Sequence, residues 1–383
     1  MKVAMVVERF PPDIGGSGVR FCEIAERLSR KHAVDVFTLG PWDAEDSRRG
    51  FLIHRFNSDR LSVLNSYGFN RVMGLTFSTF FQFLFRSYDI VDVDVWPILP
   101  FFSAKIAQSR ASTVISWNVV WPFSIRKAVS RATTFFAEAC SRLSTYNITV
   151  SNFARRMLLE HVKMNPGRVS VIPNGNDEAF LRTKLEPKLG SIIFVGRLEQ
   201  QKRLDLILGA FKIFKRSVND GELHIVGSGP LRSQLLRVSE KVEGLHLHES
   251  IPGQDRDELA SMLRKSWVFV SASEFESYGM SISEASSVGL PVVLTRTRYN
   301  GAIDEIVRHG YNGLIVDHDN PEAIADALER LYRDPELWKS LSSNAKRLAA
   351  FHSWDEVADR VEEVYEEVLN GRLPIDKSGT VSA

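Results

Sequence analysis

The stretch FVGRLEQQKRLDLILGAF, residues 194–211, joins the end of an apolar run to a polar loop and then to a helix. Its later apolar residues recur at the spacing of one helical face: Leu204, Ile207, Leu208 and Phe211. A strand, a loop and a helix in this order are typical of a parallel sheet covered by helices. The loop also places two cations, Arg197 and Lys202, near the helix start, where they could cradle a diphosphate.

The same alternation of short β-branched runs and helical periods continues along the whole chain. Candidate strands of the first half lie at residues 2–7, 34–39, 90–95, 113–117 and 148–151. After a turn signalled by VIPNGND, residues 171–177, the pattern restarts with candidate strands at 192–195, 223–226, 268–271 and 292–295. The sequence therefore predicts an α/β protein of two doubly wound, Rossmann-like domains, joined near residues 172–188 and facing across a cleft.

Length and composition agree with this architecture and exclude several other classes. A chain of 383 residues favours two domains, and 48 basic against 47 acidic residues give no sign of a nucleic-acid partner. Only Cys22 and Cys140 are present, so neither a disulfide framework nor a thiolate metal site is expected. The first twelve residues lack the apolar core of a signal peptide, and no run is long enough to span a membrane. We therefore expect a cytoplasmic protein.

Three loops that follow candidate strands are suited to ligand binding, since ligands in such folds bind at the carboxyl ends of strands. In RFPPDIGGSGVR, residues 9–20, Gly15 and Gly16 allow close approach to a helix N-terminus, although a simple strand-to-helix connection is an equal alternative. For the loop of Arg197 and Lys202, a solvated basic turn stays open as an alternative.

The third loop is SEFESYGMSISEA, residues 273–285, in which Glu276 and Glu284 lie on either side of a glycine. A strand that ends near residue 271 and a helix that begins at 279–281 would leave Glu276 in the loop and Glu284 inside the helix. Backbone N–H groups at the helix start could face an anion, while the carboxylates accept hydrogen bonds from hydroxyl groups. The two carboxylates therefore need not touch each other, and a glutamate favoured by the helix dipole stays open as an alternative for Glu276 but does not account for Glu284.

Taken together, the motifs resemble a known family. In order, they are PPDIGGSG, VIPNGND, VGRLEQQKR, VGSGP, ESYGMSISEA with GLPVV, GAIDEIVRHGYNGLIV and HSWDEVADRVEEVY. This set resembles glycosyltransferase family 4, the retaining enzymes of the GT-B fold, over most of the chain and most densely from residue 151 to 365. One departure is Gln201-Lys202-Arg203, where the family usually has glutamate, lysine and glycine.

The resemblance implies a site for a nucleotide sugar, UDP- or GDP-linked, without a metal or other cofactor. Arg197 and Lys202 would hold the donor diphosphate, Glu276 would lie by the donor sugar, and Glu284 would contact the ribose. Arg197, Lys202 and Glu276 would be the catalytic residues. Further donor contacts are implied for Gly15, Gly16, Gly279, Met280 and Ser281, and for Ser250 and Ile251 beside the base.

The resemblance also assigns parts of the chain. Residues 1–175 would bind the acceptor, 176–354 the nucleotide sugar, 355–371 would form a helix that crosses back to the first domain, and 372–383 a tail. The reaction implied is retaining hexosyl transfer to a hydroxyl of a lipid-linked or oligosaccharide acceptor in glycan or cell-envelope biosynthesis. The family's histidine near Trp117 and Asn118 is missing. This absence leaves open a non-catalytic sugar-nucleotide-binding subunit, and a two-Rossmann sugar-nucleotide epimerase is a separate alternative.

Three further sequence patterns could indicate a binding site, but we prefer an ordinary structural explanation for each. Asp92 and Asp94 could share a metal ion on one strand face, but the run reads as an ordinary strand. His246 and His248 lack a third zinc ligand. The aromatic segment 69–88 is expected to be a buried helix. Alternatively, it would dip into a membrane at the inner face of the cell, with nearby basic residues meeting anionic headgroups: Arg126, Lys127 and Arg131.

Overall fold

The computed structural model describes residues 1–12, 15–40, 44–47, 50–57, 67–119, 127–251, 255–303, 305–349 and 352–374. The chain packs into two compact units, which we call unit 1 and unit 2. Unit 1 comprises Met1–Gly175 and Trp354–Ala383, and unit 2 comprises Asn176–Ser353. Trp354 was predicted to end the second domain, but it is buried against Gly175 in unit 1.

Unit 1 is built on a sheet that has eight strands among the described residues. They are β1 Lys2–Val6, β2 Ala33–Gly40, β3 Ala44–Asp46, β4 Leu52–Asn57, β5 Ile90–Asp94, β6 Ser112–Trp117, β7 Tyr146–Thr149 and β8 Val169–Val171. The strand order is β3-β4-β2-β1-β5-β6-β7-β8, and every pair is parallel except β3 with β4. The helices in chain order are α1 Gly16–Leu28, α2 Tyr67–Leu84, α3 Leu99–Ala107, α4 Lys127–Leu143 and α5 Asn152–His161.

Unit 2 contains a six-stranded parallel sheet among its described residues. Its strands are β9 Ser191–Val195, β10 Glu222–Val226, β11 Leu245–His248, β12 Val268–Ser271, β13 Val292–Arg296 and β14 Gly313–Asp317, in the order β11-β10-β9-β12-β13-β14. The helices are α6 Glu178–Arg182, α7 Leu204–Ser217, α8 Arg232–Ser239, α9 Arg256–Lys265, α10 Met280–Val288, α11 Pro321–Arg333 and α12 Pro335–Ala349. The last helix, α13 Trp354–Leu369, returns to unit 1.

The predicted α/β class and all nine candidate strands are confirmed, each within two residues at either end. The apolar face predicted for α7 is also confirmed, because Leu204, Ile207 and Phe211 are buried in the core of unit 2. The candidate strands did not include β3, β4, β8, β11 or β14. β3 and β8 have only three residues, and β4 is a partly exposed strand with charged residues, so neither length nor alternation marks them.

Each sheet reverses its strand order at one place, between β1 and β5 in unit 1 and between β9 and β12 in unit 2. Parallel strands with crossovers in opposite directions leave a crevice at their carboxyl ends, and ligands bind there. The loop after β9 contains Arg197 and Lys202, the loop after β12 contains Glu276, and Glu284 lies in the helix α10 that follows. Among the described residues, no helix combines the length and apolarity needed to cross a membrane.

Candidate functional site

Lys202 and Glu276 form an ion pair at the carboxyl edge of the unit 2 sheet. They meet because their loops follow the neighbouring strands β9 and β12, and the N–H of Glu274 donates to the Gln201 carbonyl at 2.9 Å. The two side chains are only 13% and 15% exposed. The sequence predicted both residues but did not predict that they contact each other, since 74 positions separate them.

Arg197 lies in the same loop but stays apart from this pair. Its side chain is half exposed, and its Nη1 donates to Glu199 Oε1 at 2.9 Å. In this arrangement Arg197 is held by a solvent-exposed carboxylate, an interaction that contributes little. It is free to exchange that partner for an anionic ligand.

Arg203, directly after Lys202, has a left-handed backbone with φ 47°. The family that the sequence motifs resemble usually has glycine at this position. A left-handed conformation costs a non-glycine residue about 1–2 kcal/mol. The guanidinium forms ion pairs with Asp205 at 3.0 Å and with Asp319. These contacts offset the strain and fix the backbone on the carboxyl side of Lys202.

The helix α10 follows the loop of Glu276 and begins with an uncapped N-terminus. Gly279 precedes the helix with φ 96°, and a Cβ there would lie 3.0 Å from Ile282 Cδ1. Among the described residues, no side chain accepts a hydrogen bond at this cap, and the first turn has no acidic residue. The half-buried Met280 and Ser281 follow, so their backbone N–H groups are available to an anion.

Glu284 lies one turn further into α10 and is buried. Arg256, the first residue of α9, donates from Nη1 to Glu284 Oε1 at 2.7 Å, and its guanidinium lies 5.8 Å from the ring centroid of Phe180. Burial raises the pKa of Glu284, while Arg256 opposes that shift. Glu276 and Glu284 therefore occupy separate environments, one paired with a lysine and the other with an arginine.

Sequence reasoning missed Arg256, because nothing in its local sequence distinguishes it from other arginines at a helix start. Ser250 and Ile251, predicted beside the base, are half-buried directly after β11. Residues 252–254 lie outside the described part of the chain, so the rest of that motif has no structural account.

In unit 1, Gly15 and Gly16 stand at the start of α1, while Asp13 and Ile14 lie outside the described residues. The tight backbone contact in this turn is made by Gly18, where a Cβ would lie 2.3 Å from the Arg9 carbonyl oxygen. At Gly15 the nearest atoms would be 4.0 Å away. The turn therefore needs Gly18 for packing, whereas the described residues leave space for a ligand at Gly15.

The carboxyl end of β5 holds a second polar group of unit 1. Asp94 is buried and accepts a hydrogen bond from Asn118 Nδ2 at 3.3 Å. Burial raises the pKa of Asp94 to about 7, and hydrogen bonds with Ser17 and Asn118 oppose this shift. Asn118 Oδ1 is buried and has no hydrogen-bond partner among the described residues. Trp96, two residues beyond Asp94, exposes 43% of its surface.

Asp92 and Asp94 belong to separate networks. Asp92 Oδ2 accepts hydrogen bonds from Tyr365 at 2.6 Å and Ser116 at 3.0 Å, and burial raises its pKa to about 6. Trp117 is in the core, where its Nε1 donates to Asn147. Of the two residues at the place of the family's histidine, Asn118 is thus the one that reaches the site edge.

His246 and His248 both contact a third histidine, His224, which was not singled out from the sequence. His224 on β10 stacks on His246 with ring centroids 4.9 Å apart, and its Nδ1 lies 3.0 Å from His248 Nε2. Burial, followed by its histidine neighbours, lowers the pKa of His224 to about 4. Within the described part of the chain, no three His, Cys, Asp or Glu residues are arranged to hold a metal ion.

Two sequence profiles match the chain in tandem, and both describe glycosyltransferases. "Glycosyltransferase Family 4" matches residues 14–180, and "Glycosyl transferases group 1" matches residues 176–348. The two parallel-strand sheets with interleaved helices are an α/β fold of the GT-B class. The chain belongs to the family 4, group 1 glycosyltransferases, as its motifs predicted.

Two glycosyltransferases of Methanocaldococcus jannaschii are among the similar proteins. MJ1178 is 30% identical over 61% of this chain and 63% of its own length, and MJ1607 is 26% identical over 95% and 98%. The chain thus spans less than two thirds of the first relative. Among solved structures, HepE of Anabaena, crystallised with UDP, has a TM-score of 0.72 with 16% identity over 96% of this chain and 100% of its own.

Proposed function

We propose that this glycosyltransferase is a retaining, metal-independent enzyme that moves a hexosyl group from a UDP- or GDP-sugar to a hydroxyl of a lipid-linked or oligosaccharide acceptor. The observation that carries the proposal is the Lys202–Glu276 pair beside the uncapped start of α10. The pair joins a cation suited to phosphate to a carboxylate suited to sugar hydroxyls, next to backbone donors.

The chemistry follows from where charge develops. Cleavage of the bond between the sugar and the nucleoside diphosphate leaves negative charge on the β-phosphate oxygen. Lys202, Arg197 and the N–H groups of α10 would stabilise that charge without a metal ion. The lysine would leave Glu276 for the phosphate, and Glu276 would then accept hydrogen bonds from the donor sugar.

Retention of configuration would arise from attack on the same face that the diphosphate leaves. The acceptor oxygen forms a bond to the anomeric carbon as the bond to the β-phosphate oxygen breaks, and the acceptor proton goes to the departing phosphate. Glu276 orients the sugar and takes no proton. HepE, which was crystallised with UDP, supports a uridine donor for a protein of this fold.

The acceptor is assigned to the carboxyl edge of the unit 1 sheet. Asp94 and Asn118 are planar polar groups of the kind that hold sugar hydroxyls, and the exposed ring of Trp96 offers an apolar face to a sugar ring. Gly15 and Gly16 are assigned to the donor, as the resemblance implies.

A panel of nucleotide sugars scored by thermal shift tests the donor site. With the donor at 100 times its Kd, binding should add about 2.7 kcal/mol of stability, which is a readily measured shift. Lys202→Met should abolish most of this shift. Lys212→Met is the matched control, because Lys212 is exposed further along the helix that follows the same loop and should leave the shift unchanged.

Turnover separates the competing functions. Release of nucleoside diphosphate that depends on an added acceptor, and that persists in EDTA, is expected. An isomerised free sugar nucleotide without acceptor would instead indicate an epimerase. Donor binding without product across a broad acceptor panel would indicate a binding subunit. If no nucleotide sugar stabilises the protein, the donor site is wrongly assigned.

A further inference from the structure

Helix α2 has apolar residues on two opposite faces. Leu75, Thr79 and Phe83, spaced by four residues, are buried. Phe77 and Phe81 of α2 and Phe85, directly after its last residue, are also spaced by four, but they are exposed, Phe81 by 59% and Phe85 by 87%. A helix on a water-facing surface normally has polar residues on its outer face. The expectation that segment 69–88 is a buried helix is therefore wrong for its outer face.

The exposed apolar surface continues onto the neighbouring helices of unit 1. α2 packs against α3, and Phe102 of α3 meets Phe136 of α4 with ring centroids 6.0 Å apart. Beside these contacts, Ile106 and Phe135 are exposed by 71% and 67%. We call this surface the aromatic face and define it by Phe77, Phe81, Leu84, Phe85, Ile106 and Phe135. Isolated exposed apolar residues are ordinary, but a set shared by three packed helices marks an interaction site.

The segment that contains the aromatic face has an excess of positive charge. Residues 67–143 include eight Lys and Arg residues but only four acidic residues, although the whole chain is nearly balanced at 48 to 47. Two of those four, Asp92 and Asp94, are buried. Arg110 is exposed two residues before β6. The side chains of Arg126, Lys127 and Arg131 lie outside the described residues, and they enter here only as charges in the sequence.

We propose that the aromatic face docks unit 1 onto the surface of an anionic lipid bilayer. Aromatic and aliphatic side chains enter the boundary between headgroups and acyl chains, and nearby cations contact anionic headgroups. This pairing of an apolar outer face with local positive charge fits a lipid surface better than a protein partner. The proposal of membrane docking does not depend on the donor site. Docking would, however, bring the protein close to a lipid-linked acceptor.

Co-sedimentation of the full chain with vesicles tests this proposal without any nucleotide sugar. We expect binding to vesicles of phosphatidylcholine and phosphatidylglycerol at 70:30, and much weaker binding to phosphatidylcholine alone. Binding should fall in 0.5 M NaCl, because each contacting cation contributes about 1 kcal/mol, or about fivefold in affinity. The variant Phe81→Ser/Phe85→Ser should bind the anionic vesicles at least tenfold more weakly.

The matched control is Leu189→Ser/Leu236→Ser, which changes two leucines of unit 2 that are 52% and 53% exposed. It should bind vesicles like the parent protein, and unchanged melting temperatures would show that both variants fold. Absence of binding to anionic vesicles, or equal binding by the two variants, would overturn the proposal. Self-association that Phe81→Ser/Phe85→Ser abolishes, with no vesicle binding, would assign the face to a second copy of the chain. Vesicle binding by a protein that binds no nucleotide sugar would leave this proposal intact and remove only the donor assignment.

Discussion

Replacing Arg256 with methionine should destabilise unit 2 strongly. The change leaves the Glu284 carboxylate without its partner at 2.7 Å, in a place where the two side chains are only 14% and 11% exposed. Breaking a buried ion pair by removing one partner costs about 3–5 kcal/mol, because the remaining charge is buried without compensation. Burial already raises the pKa of Glu284, so removal of the cation should raise it further. The cost should therefore shrink as the pH falls and Glu284 takes up a proton.

Hydrogen exchange of the unit 2 amides is the appropriate assay, because it reports the opening free energy of that unit separately. Arg264→Met is the matched control, since Arg264 lies on the same helix and pairs with Glu186 in an exposed position, for which about 0–1 kcal/mol is expected. The double variant Arg256→Met/Glu284→Gln should recover most of the loss. Equal, small costs for Arg256→Met and Arg264→Met would refute the view that Glu284 depends on a buried partner.

Three further predictions concern single positions. Glu284→Ala should mainly raise the donor Kd, whereas Glu276→Ala should also lower kcat; steady-state kinetics would contradict this division if both changed affinity alone. Because the pKa of Asp94 is raised to about 7, the folded state favours the protonated carboxyl group. The free energy of unfolding should therefore fall by about 1.4 kcal/mol per pH unit as the pH rises from about 4 to about 7. Asp94→Asn should flatten that slope in urea titrations at several pH values, and an unchanged slope would contradict the burial argument. Gly279→Ala should lower the melting temperature, since a left-handed backbone costs alanine about 1 kcal/mol; an unchanged value would show that the turn relaxes.

The fold was predictable because its signal is local. Strands such as β9 and β12 are continuous apolar runs, and the face of α7 follows from a spacing within eight residues. The roles assigned to Lys202, Glu276 and Glu284 came with a resemblance to a family, and they stay predictions about chemistry. The structure adds the partner of each carboxylate.

Those partners could not be predicted because they depend on which strands and helices become neighbours. Lys202 meets Glu276 only because β12 lies beside β9, after the chain has crossed β10 and β11. Arg256 reaches Glu284 only because α9 packs on α10. The prediction of a buried helix was wrong for the outer face of α2 for a related reason. When a helix has phenylalanines on two faces, the sequence pattern does not indicate which face the sheet will cover.

The return of α13 to unit 1 has a consequence for synthesis on the ribosome. Tyr365 in this helix is fully buried and donates to Asp92, and Trp354 packs on Gly175, so unit 1 needs residues that are translated after the whole of unit 2. Unit 2 is one continuous segment and is complete at Ser353. We therefore expect unit 2 to reach its native core first, while the earlier part of unit 1 waits for α13. A nascent chain stalled before Trp354 should hold a protease-resistant unit 2 and a protease-sensitive unit 1.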